Sequence, residues 1–197
     1  GANTNTDYLS STNVTIGADY EKFENKKDTV DDYDNKAGFV SNTNKFFDDK
    51  TIFTQALRYD KYSDFDNKTT GKVGIKQYII DDLNLSANYG TGYNVPTIYQ
   101  LYFKDNRGNS GNKDLNPEKT KSYDVGIEYK GFSVTYFNTK VKNMIDWETN
   151  PITWAGTYKN FEGTSKIKGT EIAYKNEVVE DTFLNLSYTK KKKKNDK

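Results

Sequence analysis

The sequence predicts an all-β fold, an antiparallel meander of strands from a transmembrane β-barrel, and three observations carry that prediction. Stretch after stretch alternates apolar and polar residues with a period of two, as a strand with one covered and one wet face must. Only 34% of the 197 residues are hydrophobic, yet 15% are aromatic, with 16 Tyr and 11 Phe against one Met. A globular core leans on aliphatic side chains, whereas strands between lipid and water need alternation and interfacial aromatics. The links between strands also alternate, short then long, without exception. A bacterial transmembrane barrel has short turns at one end and long loops at the other, and a soluble sandwich has no reason to segregate them.

The elements follow in order. NVTIGADY (13–20) sets Val14, Ile16, Ala18 and Tyr20 against Thr15, Gly17 and Asp19. A polar link, 21–35, leads to KAGFVSNTNKFF (36–47), where alternation is weak. After a short link at 48–50, TIFTQALRYD (51–60) places Phe53, Leu57 and Tyr59 opposite Thr54, Ala56, Arg58 and Asp60. The longer link 61–70 opens GKVGIKQYII (71–80), which turns at Asp81-Asp82 into a strand with Leu83, Leu85, Ala87 and Tyr89 on one face. The next link, 91–121, is rich in Gly, Asn, Asp and Lys and far longer than a hairpin needs, so it is either functional or disordered. From Ser122 the alternation resumes, Tyr123, Val125, Ile127 and Tyr129 against Asp124, Gly126 and Glu128.

A tight turn at Lys130-Gly131 then opens FSVTYFNTKVKNMIDW (132–147). Its apolar face changes sides near Tyr136-Phe137, which a bulge or lumen-filling aromatics would explain. Loop 148–163, strand TSKIKGTEIAY (164–174), a turn at 176–181 and TFLNLSYT (182–189) bring the count to about nine strands. The closing KKKKKNDK (190–197) is expected not to span. Alternation there would aim every second lysine at lipid, at about 2–4 kcal/mol each near the midplane.

Composition narrows the chemistry. Without Cys there is neither disulfide nor thiolate site, and without His the commonest general base and metal ligand is missing. A catalytic triad or zinc hydrolase is thereby disfavoured, and no phosphate-binding loop or resident cofactor is called for. A net charge of +1 gives no electrostatic case for nucleic acid. The mean hydropathy of −0.96 argues against a helical membrane protein. The opening GANTNTDYLSSTN lacks a charged and apolar leader, as expected if the start is missing or already processed.

Several spaced motifs carry a resemblance. YGTGYNVPTIYQLY (89–102), GNKDLNPEKTKSYDVGIEY (111–129) and SKIKGTEIAY (165–174) resemble the barrel of TonB-dependent outer-membrane receptors, the vitamin B12 receptor branch in particular, from about Asp60 to Tyr188. Lys113 stands where that family usually has proline, and Phe161 where it usually has asparagine before Glu162-Gly163. Both departures fall in or beside loops and bear on ligand identity. The resemblance implies a 22-stranded barrel around an N-terminal plug, so residues 1–197 are expected to be the middle of the barrel, with plug and C-terminal strands absent. Such a piece exposes two sheet edges and should not close on its own. Also implied are capture of cobalamin or a ferric siderophore at extracellular loops, passage driven through the plug by the TonB complex, a setting in Gram-negative outer-membrane lipid, and no covalent chemistry.

Two groups of residues are candidates for the site. Tyr93, Tyr99, Tyr102, Phe103 and Trp154, with Trp147, gather at loop ends, where aromatics either stack on a large flat ligand or form the interfacial girdle. Trp147 and Tyr93, where strands leave the membrane, fit the girdle better. Arg58, Asp60, Glu128 and Glu171 share the polar strand faces and would project into the lumen, either to meet plug or substrate or to form a wall-stiffening ion-pair ladder. The acidic runs DTVDDYDN (28–35) and SDFDN (63–67) offer oxygen ligands for calcium but match no EF-hand loop. Two other functional classes compete: a soluble or surface-anchored all-β binding module of adhesin type, and a barrel enzyme using Glu128 and Glu171.

Overall fold

The computed structural model describes residues 8–24 and 32–196. Nine strands form one antiparallel sheet in strict sequence order. They are β1 (Leu9–Phe23), β2 (Tyr33–Phe46), β3 (Thr51–Tyr62), β4 (Lys68–Ile80), β5 (Leu83–Asn94), β6 (Glu118–Tyr129), β7 (Phe132–Lys142), β10 (Thr164–Val179) and β11 (Thr182–Asp196). The gap between β7 and β10 in chain order holds a separate hairpin, β8 (Ile145–Thr149) with β9 (Gly156–Asn160), and the β5–β6 link holds one short helix, α1 (Ile98–Tyr102). The predicted all-β meander of about nine strands is what forms. At about 3.3 Å per residue even β7, with 11 residues, exceeds the roughly 30 Å hydrocarbon core.

Register turns alternation into two continuous faces. One row runs Gln77, Leu85, Ile127, Val134, Ile172, Tyr188 across six strands. The adjacent row, on the opposite face, runs Lys76, Ser86, Gly126, Thr135, Glu171, Thr189. Large apolar side chains on the first face stand open, Ile16 at 78% and Leu57 at 54% exposure. In water such a face would be unfavourable by about 25 cal/mol per Å², so lipid is the cover that suits it. The buried hydrophobic core is small and lies elsewhere, among the long loops.

The short connections explain themselves. Lys130 and Gly131 take φ of 47° and 79°, both positive as a two-residue type I′ hairpin turn requires. Register shifts fall at Leu9/Ser11, Tyr78/Ile80 and Glu177/Val179, all beside short turns.

Three expectations need correction, and one open choice, bulge or lumen-side aromatic, is decided for the aromatic. The link read at 176–181 narrows to residues 180–181, because β10 runs on to Val179. The run 132–147 is not one strand: β7 ends at Lys142, and Ile145 to Trp147 belong to β8 in the second sheet. No bulge marks Tyr136-Phe137, since pairing on both sides of β7 is continuous. Phe137 instead lies on the polar face over Gly169, where an added Cβ would come within 2.8 Å of the ring. Finally, Lys190 to Lys194 are in β11, paired residue for residue with β10. The penalty argument assumed the midplane, whereas register puts Lys192 level with Tyr123, at the edge of the apolar band, and Lys190 one row further in, level with Val125 and Tyr136.

Candidate functional site

The long β5–β6 link is ordered. Pro96 is fully buried, and the Tyr33 hydroxyl donates to its carbonyl at 3.1 Å, tying the start of β2 to the end of β5. Thr97 then caps α1: its hydroxyl accepts from Gln100 N at 3.2 Å while the Gln100 side chain accepts from Thr97 N at 2.9 Å, a reciprocal capping box. The cap lets five residues hold a helical turn and aim Leu101 inward, where it packs with Tyr33, Val95 and Leu115 as the buried cluster.

Hydrogen bonds then lace this loop to the β8–β9 hairpin. Ser110 N donates to Gly156 O at 3.0 Å, Gly156 N to Asn109 Oδ1 at 2.7 Å and Asn112 Nδ2 to Tyr158 O at 3.0 Å. Asn160 Nδ2 donates to both Asn116 O and Asn143 O, and its Oδ1 accepts from Asn116 N at 2.7 Å. Glu118 Oε1 accepts from Ile145 N at 2.7 Å. The segments after β5 and after β7 therefore form one body. Asp105 anchors a turn within it, accepting from Arg107 N, Asn109 N and Asn109 Nδ2. The Asn109 amide, ahead of those backbone donors, holds the Asp105 carboxyl below the usual carboxylate range.

The candidate aromatics divide on this scaffold. Tyr99 and Phe103 stack at 4.5 Å, Tyr158 meets Tyr99 edge-on at 6.3 Å, and Trp147 meets Tyr158 at 4.9 Å. These four rings form a row across both loops, over half of Tyr99 being exposed. Gly156 lies under the Trp147 indole, where a Cβ would overlap the ring. Trp147 is thus part of the loop body, not a girdle residue at the end of a spanning strand. Tyr93 and Tyr102 pack against the buried cluster and support the loops, and Lys113 Nζ sits 5.0 Å from the Tyr102 ring. Trp154, at φ 59° on the β8–β9 tip, is 79% exposed beside Ile152 at 86%.

The wall candidates lie together on the polar face but have separate partners. Arg58 bridges Asp19, at 2.6 Å, and Asp60, at 2.9 Å. Asp60 is 6% exposed and also accepts from Asn35 Nδ2 at 3.0 Å. That is a cross-strand ion-pair network over β1, β2 and β3. Glu128 meets Lys76 at 3.6 Å and accepts from Asn84 Nδ2 at 3.3 Å, whereas Glu171 meets Thr189 Oγ1 at 3.5 Å. The two carboxylates have no common partner, and the structure does not bring them into a pair. Residues 63–67 bend into β4, residues 28–31 lie outside the described set, and among the described residues no three acidic side chains gather as a metal site.

Sequence reasoning missed Tyr158, at the middle of the aromatic row, and Tyr33, which closes the cluster from inside an acidic run. It also missed the Asn residues that lace the loops. The signal for Tyr158 was present as GTYKN, a short alternating run after Trp154 that pairs back onto IDWET.

Fold and site together define a piece of barrel wall with apolar and polar faces, topped at its long-loop end by an ordered aromatic body. Residues 1–197 match the family model for the TonB dependent receptor-like β-barrel, and the chain belongs to that family. It is 32% identical over 143 residues to the vitamin B12 transporter BtuB of Vibrio vulnificus (strain YJ016), a match covering 71% of this chain and 22% of that protein. Among solved structures, the siderophore receptor PirA from Pseudomonas aeruginosa superposes with a TM-score of 0.77 at 20% identity, over 93% of this chain and 40% of that one. The copper transporter OprC gives 0.70 at 16% identity, over 93% and 36%. The chain thus spans about a fifth of the length of the curated relative it matches.

Proposed function

We propose that this chain is part of the wall and loop crown of an outer-membrane receptor that takes up a scarce, bulky nutrient, cobalamin or a ferric siderophore, by TonB-coupled transport. The single observation that carries the reading is the loop body. Two long loops at one end of a lipid-compatible wall are fastened by at least six hydrogen bonds and present a row of four rings, with Trp154 and Ile152 at the tip. Rings held by rigid backbone give contact area to a large ligand at little entropic loss. The polar face, with its Arg58 network, then lines the lumen against the receptor's own plug, and the proposed ligand is moved without covalent change.

The experiment is a titration of the receptor at its native length, in detergent, with cyanocobalamin and with ferric siderophores, following tryptophan fluorescence. Saturable quenching by one class, weakened at least tenfold in Tyr99→Ala and Trp154→Ala, is the expected result. A receptor that binds one of these ligands with both variants unaffected would remove the aromatic row from the site. A protein that is monodisperse without detergent and binds none would favour the adhesin-like module.

A further inference from the structure

One part of the apolar face is polar. Asn42 and Gln55 stand directly opposite each other on β2 and β3, with Phe53 and Leu57 on either side of Gln55 along its strand. Their cross-strand row continues through Val14 on one side and Val73, Tyr89, Tyr123 and Asn138 on the other. Strand tilt carries the apolar band further toward the loops here than on β6 and β7. One row nearer the loops, β1 to β3 hold Ile16, Val40 and Leu57, where β6 and β7 hold Lys121 and Lys140. Toward the short turn, the pair lies four residues inward of Phe46 and Thr51, about 13 Å along the strands at ~3.3 Å per residue. The rings of Tyr8, Phe46 and Phe47 gather at that turn as an interfacial girdle does. Both amides are therefore held within the hydrocarbon.

Neighbouring polar side chains of this face are satisfied inside the wall. Asn44 Oδ1 accepts from Thr12 Oγ1 at 3.0 Å, and the Gln77 amide accepts from Thr51 Oγ1 at 2.7 Å and donates to the Lys50 and Tyr78 carbonyls. Asn42 and Gln55 differ: neither side chain forms a hydrogen bond among the described residues, and Asn42 Oδ1 is buried. Asn138 Oδ1 is also buried without a partner, but its amide nitrogen donates to the Tyr123 hydroxyl, and Lys168 and Lys192 in its row set it at the wet edge. Beside the pair a hollow of about 500 Å³ opens over Gly71, walled by Val40, Leu57, Val73 and Tyr89.

We propose that β2 and β3 form a two-fold interface in the membrane plane for a second copy of the receptor, Asn42 of each copy bonding Gln55 of the other. The proposal rests on the outer-membrane reading above. Acyl chains offer neither donor nor acceptor, so at this depth another polypeptide must complete the amides. Geometry selects a copy of the same chain. Two copies inserted in the same sense are related by an axis along the membrane normal. An axis passing between β2 and β3 brings position 42 of one against position 55 of the other, at one level because the two are register partners. A primary amide both donates and accepts, so both contacts close. The three rows centred on the pair hold Thr12, Asn44 and Phe53, then Val14, Asn42 and Gln55, then Ile16, Val40 and Leu57, and no charge among them asks for an oppositely charged partner. The same axis sets β1 of one copy, where Ile16 is 78% exposed, over β4 of the other, where the hollow lies.

The test reconstitutes the receptor at its native length in phosphatidylcholine vesicles over a range of protein-to-lipid ratios and reads energy transfer between donor- and acceptor-labelled copies. The parent should associate. Gln55→Leu should raise the protein fraction needed for half-association about tenfold, at roughly threefold for each of two symmetry-related contacts. The exchange Asn42→Gln with Gln55→Asn, which keeps an amide at each position, should associate like the parent, as should Ile127→Ala on β6, away from the axis. Spin labels on Lys50→Cys, in the β2–β3 turn, should lie closer between copies than those on Lys130→Cys, in the β6–β7 turn. The difference should be on the order of 30 Å, since the two-fold doubles an offset of four strand spacings. Association unmoved by Gln55→Leu, or lost equally in the exchange variant or in Ile127→Ala, overturns the proposal, as do equal label separations. Heat-modifiable gel migration reports folding, and the label distances, which need no change at the interface, keep the test decisive if Gln55→Leu does not fold. A receptor that enters no vesicle sinks the membrane reading as well, whereas one that inserts and stays monomeric at every ratio sinks this inference only.

Discussion

Leu101→Ala should unfasten the loop body and leave the wall intact. Leu101 is 5% exposed and is one of four residues making the buried cluster. Truncating it removes three carbons, about 2.4 kcal/mol at ~0.8 kcal/mol per methylene, and an incompletely collapsed cavity raises the loss to about 3 kcal/mol. That corresponds to a factor of roughly 150 in the local opening constant. The amides that should report it are Gly111 N, bonded to Phe103 O at 2.6 Å, Asn112 N, bonded to Gln100 O at 2.8 Å, and Ser110 N, bonded to Gly156 O. Hydrogen exchange followed by mass spectrometry should show their protection falling by about two orders of magnitude, because loops so joined open as one unit. Wall amides of β6 and β7, whose partners lie in the sheet, should not change. Unchanged protection in residues 98–112 would refute the idea that this cluster holds the crown. Equal loss in crown and wall would refute its independence from the sheet.

Three further outcomes follow from the same geometry. Arg58→Met should destabilise the wall by about 1–2 kcal/mol, since buried Asp60 keeps only Asn35 as donor while the partial exposure of Arg58 tempers the loss; a denaturant midpoint equal to that of the parent would contradict it. Gly169→Val should pry β11 from β10, because the new Cβ runs into the Lys190 carbonyl oxygen as well as the Phe137 ring. Adding Phe137→Ala should not restore β11 amide protection, the backbone oxygen being the obstacle that cannot move aside. The Asp105 turn should be pH-dependent on the acid side only: a carboxyl held low in the folded loop stabilises it fully above its unfolded pKa of about 4, and that contribution is lost as pH falls through the depressed value. Exchange protection at Asn109 N should be level from neutral pH to about 4 and decline below, and a decline beginning near neutrality would show that another group controls the turn.

The wall was legible because its rule is simple. Strands with one lipid and one water face must alternate, and the alternation located all nine strands of the sheet. Their ends were less visible, since beyond the apolar band both faces are wet and the period fades; β1 begins at Leu9 and ends at Phe23, where alternation marked 13–20 alone. Lys190 to Lys194 mislead for another reason: the expectation that they do not span charges them a midplane penalty, but a sequence gives no membrane level, and only the pairing with β10 supplies their place. The crown was largely hidden. Asn109, Asn112 and Asn160 spend their side chains on backbone groups of another loop, and in sequence such residues look like solvated turn formers. Tyr33, inside an acidic run, gives no sign that its ring stacks on Phe23 at 4.6 Å and closes the cluster.

The division between wall and crown also bears on where specificity resides. Structures superposing at TM-scores of 0.77 and 0.70 with 20% and 16% identity are named for a siderophore and for copper respectively. Likeness at that identity is one of fold, so on the receptor reading proposed above the sheet plan selects no cargo, and this chain's share in selection would lie with side chains at the end where it departs from a regular sheet. In this protein that end contains α1, the β8–β9 hairpin and the ring row, fixed by a four-residue cluster and by Asn-to-backbone bonds and not by strand pairing with the wall. Substitutions can therefore remodel the crown without touching the rows that face lipid. Lys113 and Phe161, the two departures from the family pattern, lie in or beside these loops, with Phe161 N donating to Met144 O next to the hairpin. On that proposed reading, the part of ligand recognition this chain carries falls to residues 95–117 and 143–163, and substitutions there should leave sheet stability unchanged.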